Sequence, residues 1–304
     1  LTEGAIQLDS ALDAEGNPSD QIKLLAYLNA KMQTGIENSL DEAILKSVVI
    51  EADHYIKVDE IPYDFIRKRL SVVVERKNSL PQMITKGALE NVLSVCSQIK
   101  IGDDDFNLDK DHLSKIQERF EAWSSQGYRV LGIAIKSLSV KQHSYPKESE
   151  IAMVFVGFLL FFDSPKKGVL ETIPTLEKMG VQLKVITGDN KLVARHTAQI
   201  VGLTNLKVLT RNDLDNLRDE ALWHAVEETQ LFAEVDPNQK ERIIFALKKR
   251  GHVVGYMGDG INDAPPLHAA DVGISVENAV DVAKEAADLI LLKQDLDVLR
   301  EGII

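Results

Sequence analysis

Two carboxylates and an amide, Asp259, Asn262 and Asp263, lie within five residues on a turn loosened by Gly258 and Gly260. The apolar run 253–257 leads into this turn and reads as a strand. Acidic oxygens gathered at a strand end suit Mg2+, which takes one or two carboxylates, keeps several waters and accepts phosphate as a ligand. An Asp-Gly turn with an Asn cap is the plainer reading, so the chemistry depends on what else arrives there. Thr187-Gly188-Asp189-Asn190 precedes a helical pattern. A hydroxyl, a glycine that lets the backbone approach, and free helix N–H groups make a phosphate cradle. Asp189 could instead cap the helix. Lys240 falls in the first turn of a helix from 239, where it opposes the helix dipole; a phosphate would explain it, as would an ordinary surface lysine.

The elements that position these groups alternate strand and helix. Strands are expected at 154–162, 182–186, 253–257 and 272–276, with a short apolar run at 289–292. Helices are expected at 166–179, 191–201, 239–249 and 279–287, the first two stopped by Gly180 and Gly202. This order predicts an α/β fold, a doubly wound parallel sheet with its site beyond the carboxyl ends of the strands. Asp163, Thr187 and Asp259 each follow a strand in that scheme, so three strand ends would meet at one rim.

The first half reads differently. Helices are expected around 20–35, 41–45, 87–96 and 113–127, and strands at 57–61, 70–76, 82–85 and 130–135, an α+β unit on an antiparallel sheet. The polar stretch 137–149, with Pro146, is the expected boundary. The helix at 87–96 would place the lone Cys96 in a core, and one cysteine cannot form an internal disulfide. A net charge of −12 argues against broad nucleic-acid binding. The longest apolar run, 151–162, is too short to span a bilayer. The chain opens on Leu1 rather than Met, which suggests a piece of a larger protein.

These motifs together resemble the P-type ATPases, ion pumps whose catalytic domain belongs to the haloacid dehalogenase superfamily. The match is carried by Thr187-Gly188-Asp189, by Asp259-Gly260-Ile261-Asn262-Asp263-Ala264-Pro265, by Asp236-Pro237 with Lys240, and by Lys86-Gly87-Ala88. Their order and spacing fit across essentially the whole chain. Pro265-Pro266 in place of Pro-Ala departs from the family pattern, and Pro174 inside the helix expected from 166 would kink it, neither removing a catalytic group; Ser164 differs within the Asp163-Ser164-Pro165 string.

The resemblance implies a phosphorylation domain over 1–5 and 150–304 with a nucleotide-binding domain, 6–149, inserted into it. It implies Mg2+ and ATP as cofactor and substrate, and an aspartyl-phosphate intermediate on an Asp-Lys-Thr-Gly-Thr motif just upstream of Leu1. Asp259 would be the main metal ligand, supported by Asp263 and Asn262. Thr187 and Gly188 would contact the phosphoryl group, Asp189 would orient the metal site and Lys240 would neutralise phosphoryl charge. Phe65 would stack on adenine, although a strand Phe is ordinarily core; Arg67, Lys86, Gly87, Arg129 and Asp41 would complete the nucleotide site. The implied partners are the pump's own membrane and actuator domains, at the cytoplasmic side of a membrane. The segments 34–45, 160–167 and 271–292 look most like bacterial magnesium importers. A calcium or other cation pump is the alternative, as is a free-standing haloacid dehalogenase-type phosphatase, which would need a nucleophilic Asp-x-Asp after an early strand.

Overall fold

The computed structural model describes the chain except at residues 1, 36–37, 48–49, 65, 78, 141, 143, 167, 205, 293–297, 299–301 and 303–304. It divides into two compact units, residues 2–164 and 165–304.

The first unit is built on one twisted sheet. In chain order it contains β1 (Gln7–Asp13), α1 (Asp20–Met32), α2 (Ser39–Ser47), β2 (Tyr55–Asp64), β3 (Arg69–Arg76), β4 (Gln82–Ala88), α3 (Leu89–Leu93), β5 (Cys96–Ile101), β6 (Asp104–Asn107), α4 (Lys110–Ser125), β7 (Arg129–Ser137) and β8 (Met153–Phe162). The strand order is β2-β3-β4-β7-β8-β5-β6, with β1 also on β8. Every pairing is antiparallel except β5 on β8. Helices cover both faces. Val72, Val74, Ile84, Leu159 and Phe161 pack with Ile22, Leu25 and Leu28 of α1 and Ile44 of α2. Their sequence neighbours Val73, Met83, Phe158 and Leu160 point the other way, onto Leu89, Val92 and Ile116 of α3 and α4. This period-two division is what a pleated strand imposes.

The strand expected at 154–162 and the helix expected at 87–96 differ in the structure. The strand at 154–162 does not open the parallel half; β8 is the central strand of the antiparallel sheet. An almost unbroken apolar run is the mark of a strand buried on both faces, usually in a parallel sheet. Helices on both faces of an antiparallel sheet produce the same run. Asp163 therefore ends a strand of the first unit, where its Oδ1 accepts the Gly4 amide at 3.1 Å. The helix expected at 87–96 stops at Leu93, and Cys96 begins β5. The acidic stretch 102–105 forms the turn of the β5–β6 hairpin and the first half of β6.

The second unit runs α5 (Val169–Lys178), β9 (Val185–Ile186), α6 (Lys191–Ile200), β10 (Val208–Thr210), α7 (Arg211–Asn216), α8 (Asp219–Glu228), β11 (Leu231–Ala233), α9 (Pro237–Lys249), β12 (Gly255–Met257), α10 (Ala264–Ala269), β13 (Val272–Val276), α11 (Asp281–Glu285) and β14 (Leu289–Leu291). All its pairings are parallel, as the alternation predicts. They form two three-stranded sheets, β10-β11-β9 and β12-β13-β14. β9 and β12 are end strands, so each keeps one edge unpaired among the described residues. One core reaches both sheets: Ile243, Ile244 and Leu247 of α9 share it with Phe232 of β11 and with Tyr256 and Val276.

Candidate functional site

In the second unit, backbone hydrogen bonds join the loops that follow the strands. Thr187, just past β9, donates its amide to Phe232 O at 2.9 Å and accepts from Val235 N at 3.2 Å. Asp189 O accepts from Glu234 N at 2.9 Å. The loops after β9 and β11 are thus one structure. The chain then enters α9, capped by Asp236 with Gln239 completing a capping box. This cap fixes the first turn, which carries Lys240. Its Nζ donates to Asp263 Oδ1 at 2.7 Å, across to the loop after β12. The ends of β9, β11 and β12 are therefore linked, and Thr187, Lys240 and the Asp259–Asp263 turn share one side of the fold.

Asp263 organises that turn. Its Oδ1 accepts from Lys240 Nζ and from the Tyr256 hydroxyl, both at 2.7 Å. Its Oδ2 accepts from the amides of Asp259 at 3.2 Å and Gly260 at 3.0 Å. Burial works against the ionised form, but Lys240, the Tyr256 hydroxyl and the Gly260 amide outweigh it and hold the carboxyl below its usual range. The loop closes so tightly that a Cβ on Gly258 would sit 2.5 Å from Asp263 Cβ, which is why glycine stands there. A carboxylate offers about four lone-pair positions, and all four are used. Each oxygen of Asp263 thus has two donors in this arrangement.

Asp259 is the opposite case. It is exposed, and its side chain accepts no hydrogen bond from the described residues. Asn262 is exposed beside it. Among the described residues no three His, Cys, Asp or Glu side chains form a ready metal cage. Mg2+ needs none, because one carboxylate with waters and a phosphate oxygen suffices. The donor set of Asp259 and Asn262 fits that ion.

The cradle after β9 is narrower than its sequence suggests. Asn190, not Asp189, caps α6, accepting from Leu192 N at 2.8 Å. Glu234 Oε1 accepts from Lys191 N at 3.0 Å and Asn190 Nδ2 at 3.3 Å. Two helix amides are therefore satisfied by the chain itself. Thr187 Oγ1 accepts from Asp189 N at 3.1 Å, which leaves its hydroxyl proton and the Gly188 amide without an acceptor among the described residues. Glu234 holds a left-handed backbone, φ 63°, costly for a residue with a side chain and frequent at functional sites.

The nucleotide residues expected from sequence lie in the first unit, on two faces of its sheet. Lys86, on β4, points toward α2 and forms an ion pair with Asp41; both are buried, at 5% and 3% exposed. Asp41 Oδ2 also accepts from Asn38 at 2.7 Å and Gln33 at 3.2 Å. Burial pushes the Lys86 ammonium down to about 7, beside the Asp41 carboxylate. Arg67 faces elsewhere. Its guanidinium donates to Asp64, to Glu150 Oε2 at 2.6 Å and to Pro62 O at 2.6 Å. Glu150, fully buried at its side chain, also holds Arg69 at 2.8 Å and the Ser71 hydroxyl at 2.7 Å. Arg67 is thus a strut of a buried ion network in this arrangement.

Gly87 has a steric reason: a Cβ there would meet Lys68 O at 2.4 Å, where the turn before β3 crosses β4. Arg129 opens β7 opposite Phe161, half-buried. Phe65 lies outside the described residues. Burial pushes the Cys96 thiol up to about 12, away from the thiolate form.

Three residues of these clusters went unread in the sequence. Tyr256 looks like core in an apolar strand. Glu150 directly follows the polar stretch 137–149 that reads as a boundary. Glu234 follows β11 and obeys the same strand-end rule as Asp259, but three residues of strand gave no periodicity to reveal it.

The second unit has the parallel strands and strand-end acidic loops of a haloacid dehalogenase-like hydrolase, and residues 108–271 match that family's model. Residues 16–168 match the model of the P-type ATPase cytoplasmic domain N. The chain belongs to the P-type ATPase family. It is 42% identical to the magnesium-transporting ATPase, P-type 1, of Salmonella typhimurium and to that of Escherichia coli, over 100% of this chain. It is 30% identical to a calcium-transporting ATPase of Listeria monocytogenes over 93% of the chain. The chain spans about a third of these relatives, 34% of the magnesium-transporting ones and 31% of the calcium-transporting one. No described helix is long and apolar enough to cross a membrane.

Proposed function

We propose that this chain is the nucleotide-binding domain and most of the phosphorylation domain of a cation-transporting P-type ATPase, in which Mg-ATP hydrolysis through an aspartyl phosphate drives magnesium import. The observation that carries the reading is the Lys240–Asp263 bond, which joins a cation from the β11 side to the Asp259 turn after β12. Phosphoryl transfer needs this kind of arrangement: fixed positive charge and an acidic metal site at strand ends, with little covalent work for the protein. Magnesium as cargo is favoured by the names of the relatives at 42% identity over the calcium-transporting one at 30%.

In this reading Asp259 holds Mg2+ with Asn262 beside it, and the bound ion supplies charge neutralisation for the transferring phosphate. Lys240 contributes positive charge to the same oxygens. The Thr187 hydroxyl and Gly188 amide donate to the phosphoryl group, and Asp189 orients the metal side. Asp263 acts by holding Lys240 and the Asp259 turn in place. No aspartate of this chain is assigned as the phosphate acceptor. A strand carrying that acceptor would find an unpaired edge on β9 and on β12, the two strands whose ends bear the site. Asp41, Phe65, Lys86, Gly87 and Arg129 serve ATP in the first unit, with Arg67 bracing the turn at 66–68 through Asp64 and Glu150. The remaining partners are the pump's own membrane and actuator domains, which set this chain on the cytoplasmic face of a membrane.

The test is labelling of the full-length protein with γ-phosphate-labelled ATP in membrane vesicles. Acid-stable phosphoenzyme that is Mg2+-dependent and lost in Asp259→Ala is expected, while the 304-residue chain alone binds ATP without sustained phosphate release. Rapid hydrolysis of small phosphate esters by the chain alone, with no phosphoenzyme in the longer protein, would favour a phosphatase and refute the reading.

A further inference from the structure

Lys240 has three N–H donors. One is on Asp263 Oδ1, and no other partner stands among the described residues. The same oxygen accepts a second bond at the same length, 2.7 Å, from the Tyr256 hydroxyl. Tyr256 is 7% exposed, and its ring is part of the core shared by α9 and both sheets. Phenylalanine would fill that volume equally. A buried hydroxyl is costly unless bonded, so its presence calls for its partner. With both lone pairs of Oδ1 occupied, the carboxylate can neither turn nor accept a second N–H from Lys240.

We propose that Tyr256 is a positioning residue for the phosphoryl-transfer site: its hydroxyl shares Asp263 Oδ1 with Lys240, limits the ammonium to one bond on the carboxylate, and leaves its other N–H groups directed to the phosphoryl oxygens. The proposal deepens the reading of this chain as a phosphorylation domain and rests on it. Without the hydroxyl, Oδ1 regains a free lone pair and more negative charge, and Lys240 closes onto it. The ammonium is then a poorer partner for phosphate although no residue that touches substrate has changed. ATP binding, which the reading assigns to the first unit, is untouched.

The experiment has two arms. In the full-length protein, Tyr256→Phe is compared with the parent for the single-turnover rate of phosphoenzyme formation and for the ATP concentration that half-saturates it. The expected result is a rate lower by about tenfold, the scale of one hydrogen bond to a charged group, at unchanged half-saturation. In the 304-residue chain, the side-chain ammonium resonance of Lys240, assigned with Lys240→Arg, is followed by nitrogen-15 NMR and is expected to move in Tyr256→Phe. A rate within twofold of the parent's, or an unmoved Lys240 resonance, overturns the proposal. A purely structural loss would lower the amount of folded protein and leave both readouts per folded molecule unchanged. If the parent protein itself forms no phosphoenzyme, the phosphorylation reading fails and the role in phosphoryl transfer with it, whereas the NMR arm still decides whether Tyr256 holds Lys240.

Discussion

Asp41→Asn is the sharpest test of how the first unit is held together. The substitution keeps volume and shape but removes the charge that faces Lys86, leaving a buried ammonium beside a neutral amide. Breaking one side of a buried ion pair costs about 3–5 kcal/mol. A bound on this comes from the lysine, which can shed its proton instead. Neutralising a group with a reference value of 10.5 at pH 7 spans 3.5 units, or about 5 kcal/mol at roughly 1.4 kcal/mol per unit. The two figures agree, so a loss of about 3–5 kcal/mol is expected.

The sign of the pH dependence follows. With its folded value depressed, Lys86 binds fewer protons folded than unfolded, so the variant gains stability as pH rises from about 7 towards 10. Lys86→Met in the same background should restore most of the loss, because apolar replacement of a buried pair is often neutral.

Urea unfolding can report this on the first unit alone. The chain has two tryptophans; Trp123 stacks edge-on with Phe158 in the first unit, and Trp223 is in the second. In a Trp223→Phe background the fluorescence follows Trp123. At a slope of about 1–3 kcal/mol per molar urea, the midpoint should fall by one molar or more. A loss under about 1 kcal/mol, or a stability that does not change with pH, would refute the buried pair.

Other outcomes are equally specific. Gly87→Ala should destabilise the first unit by about 1–3 kcal/mol or more, read on the same tryptophan, because its Cβ cannot avoid the Lys68 carbonyl. Asp259→Ala should leave the stability of the second unit within about 0.5 kcal/mol, since its side chain makes no bond to lose, while abolishing Mg2+-dependent phosphorylation of the full-length protein. Glu150→Gln should cost several kcal/mol in thermal or urea unfolding, on the order of 3–5, because Arg67 and Arg69 would lose their common carboxylate.

The parallel second unit was legible because its helices announce themselves by period and glycine stops, and because strand ends collect ligands in such sheets. That rule picks out Thr187 and Asp259, and also Asp163, which instead ends a strand of the first unit; Lys240 is picked out from its place in the first turn of a helix. What the rule cannot supply is partners. Nothing in the string Asp259–Asp263 says which carboxylate is free and which is saturated; that depends on Lys240 and Tyr256 arriving from other elements. The same limit applies to Asp41 and Lys86, which are 45 residues apart in the chain and meet on one sheet face. β8 was recognised as a strand but given the wrong partners, since burial on both faces erases the alternation that distinguishes antiparallel from parallel. β10 and β11, at three residues each, were too short to show any period.

The edges of β9 and β12 that stay unpaired among the described residues bear on how this chain behaves in a tube. An unpaired strand edge is a row of amide donors and carbonyl acceptors that another molecule can template on, and natural proteins usually blunt it with charge, proline or a covering segment. Here Val253, 86% exposed, precedes β12 and Met257 ends it, so exposed apolar surface adjoins the strand. The isolated chain should therefore self-associate as its concentration rises, edge to edge, and a soluble peptide strand of matching register should dissolve those assemblies by occupying the ladder first.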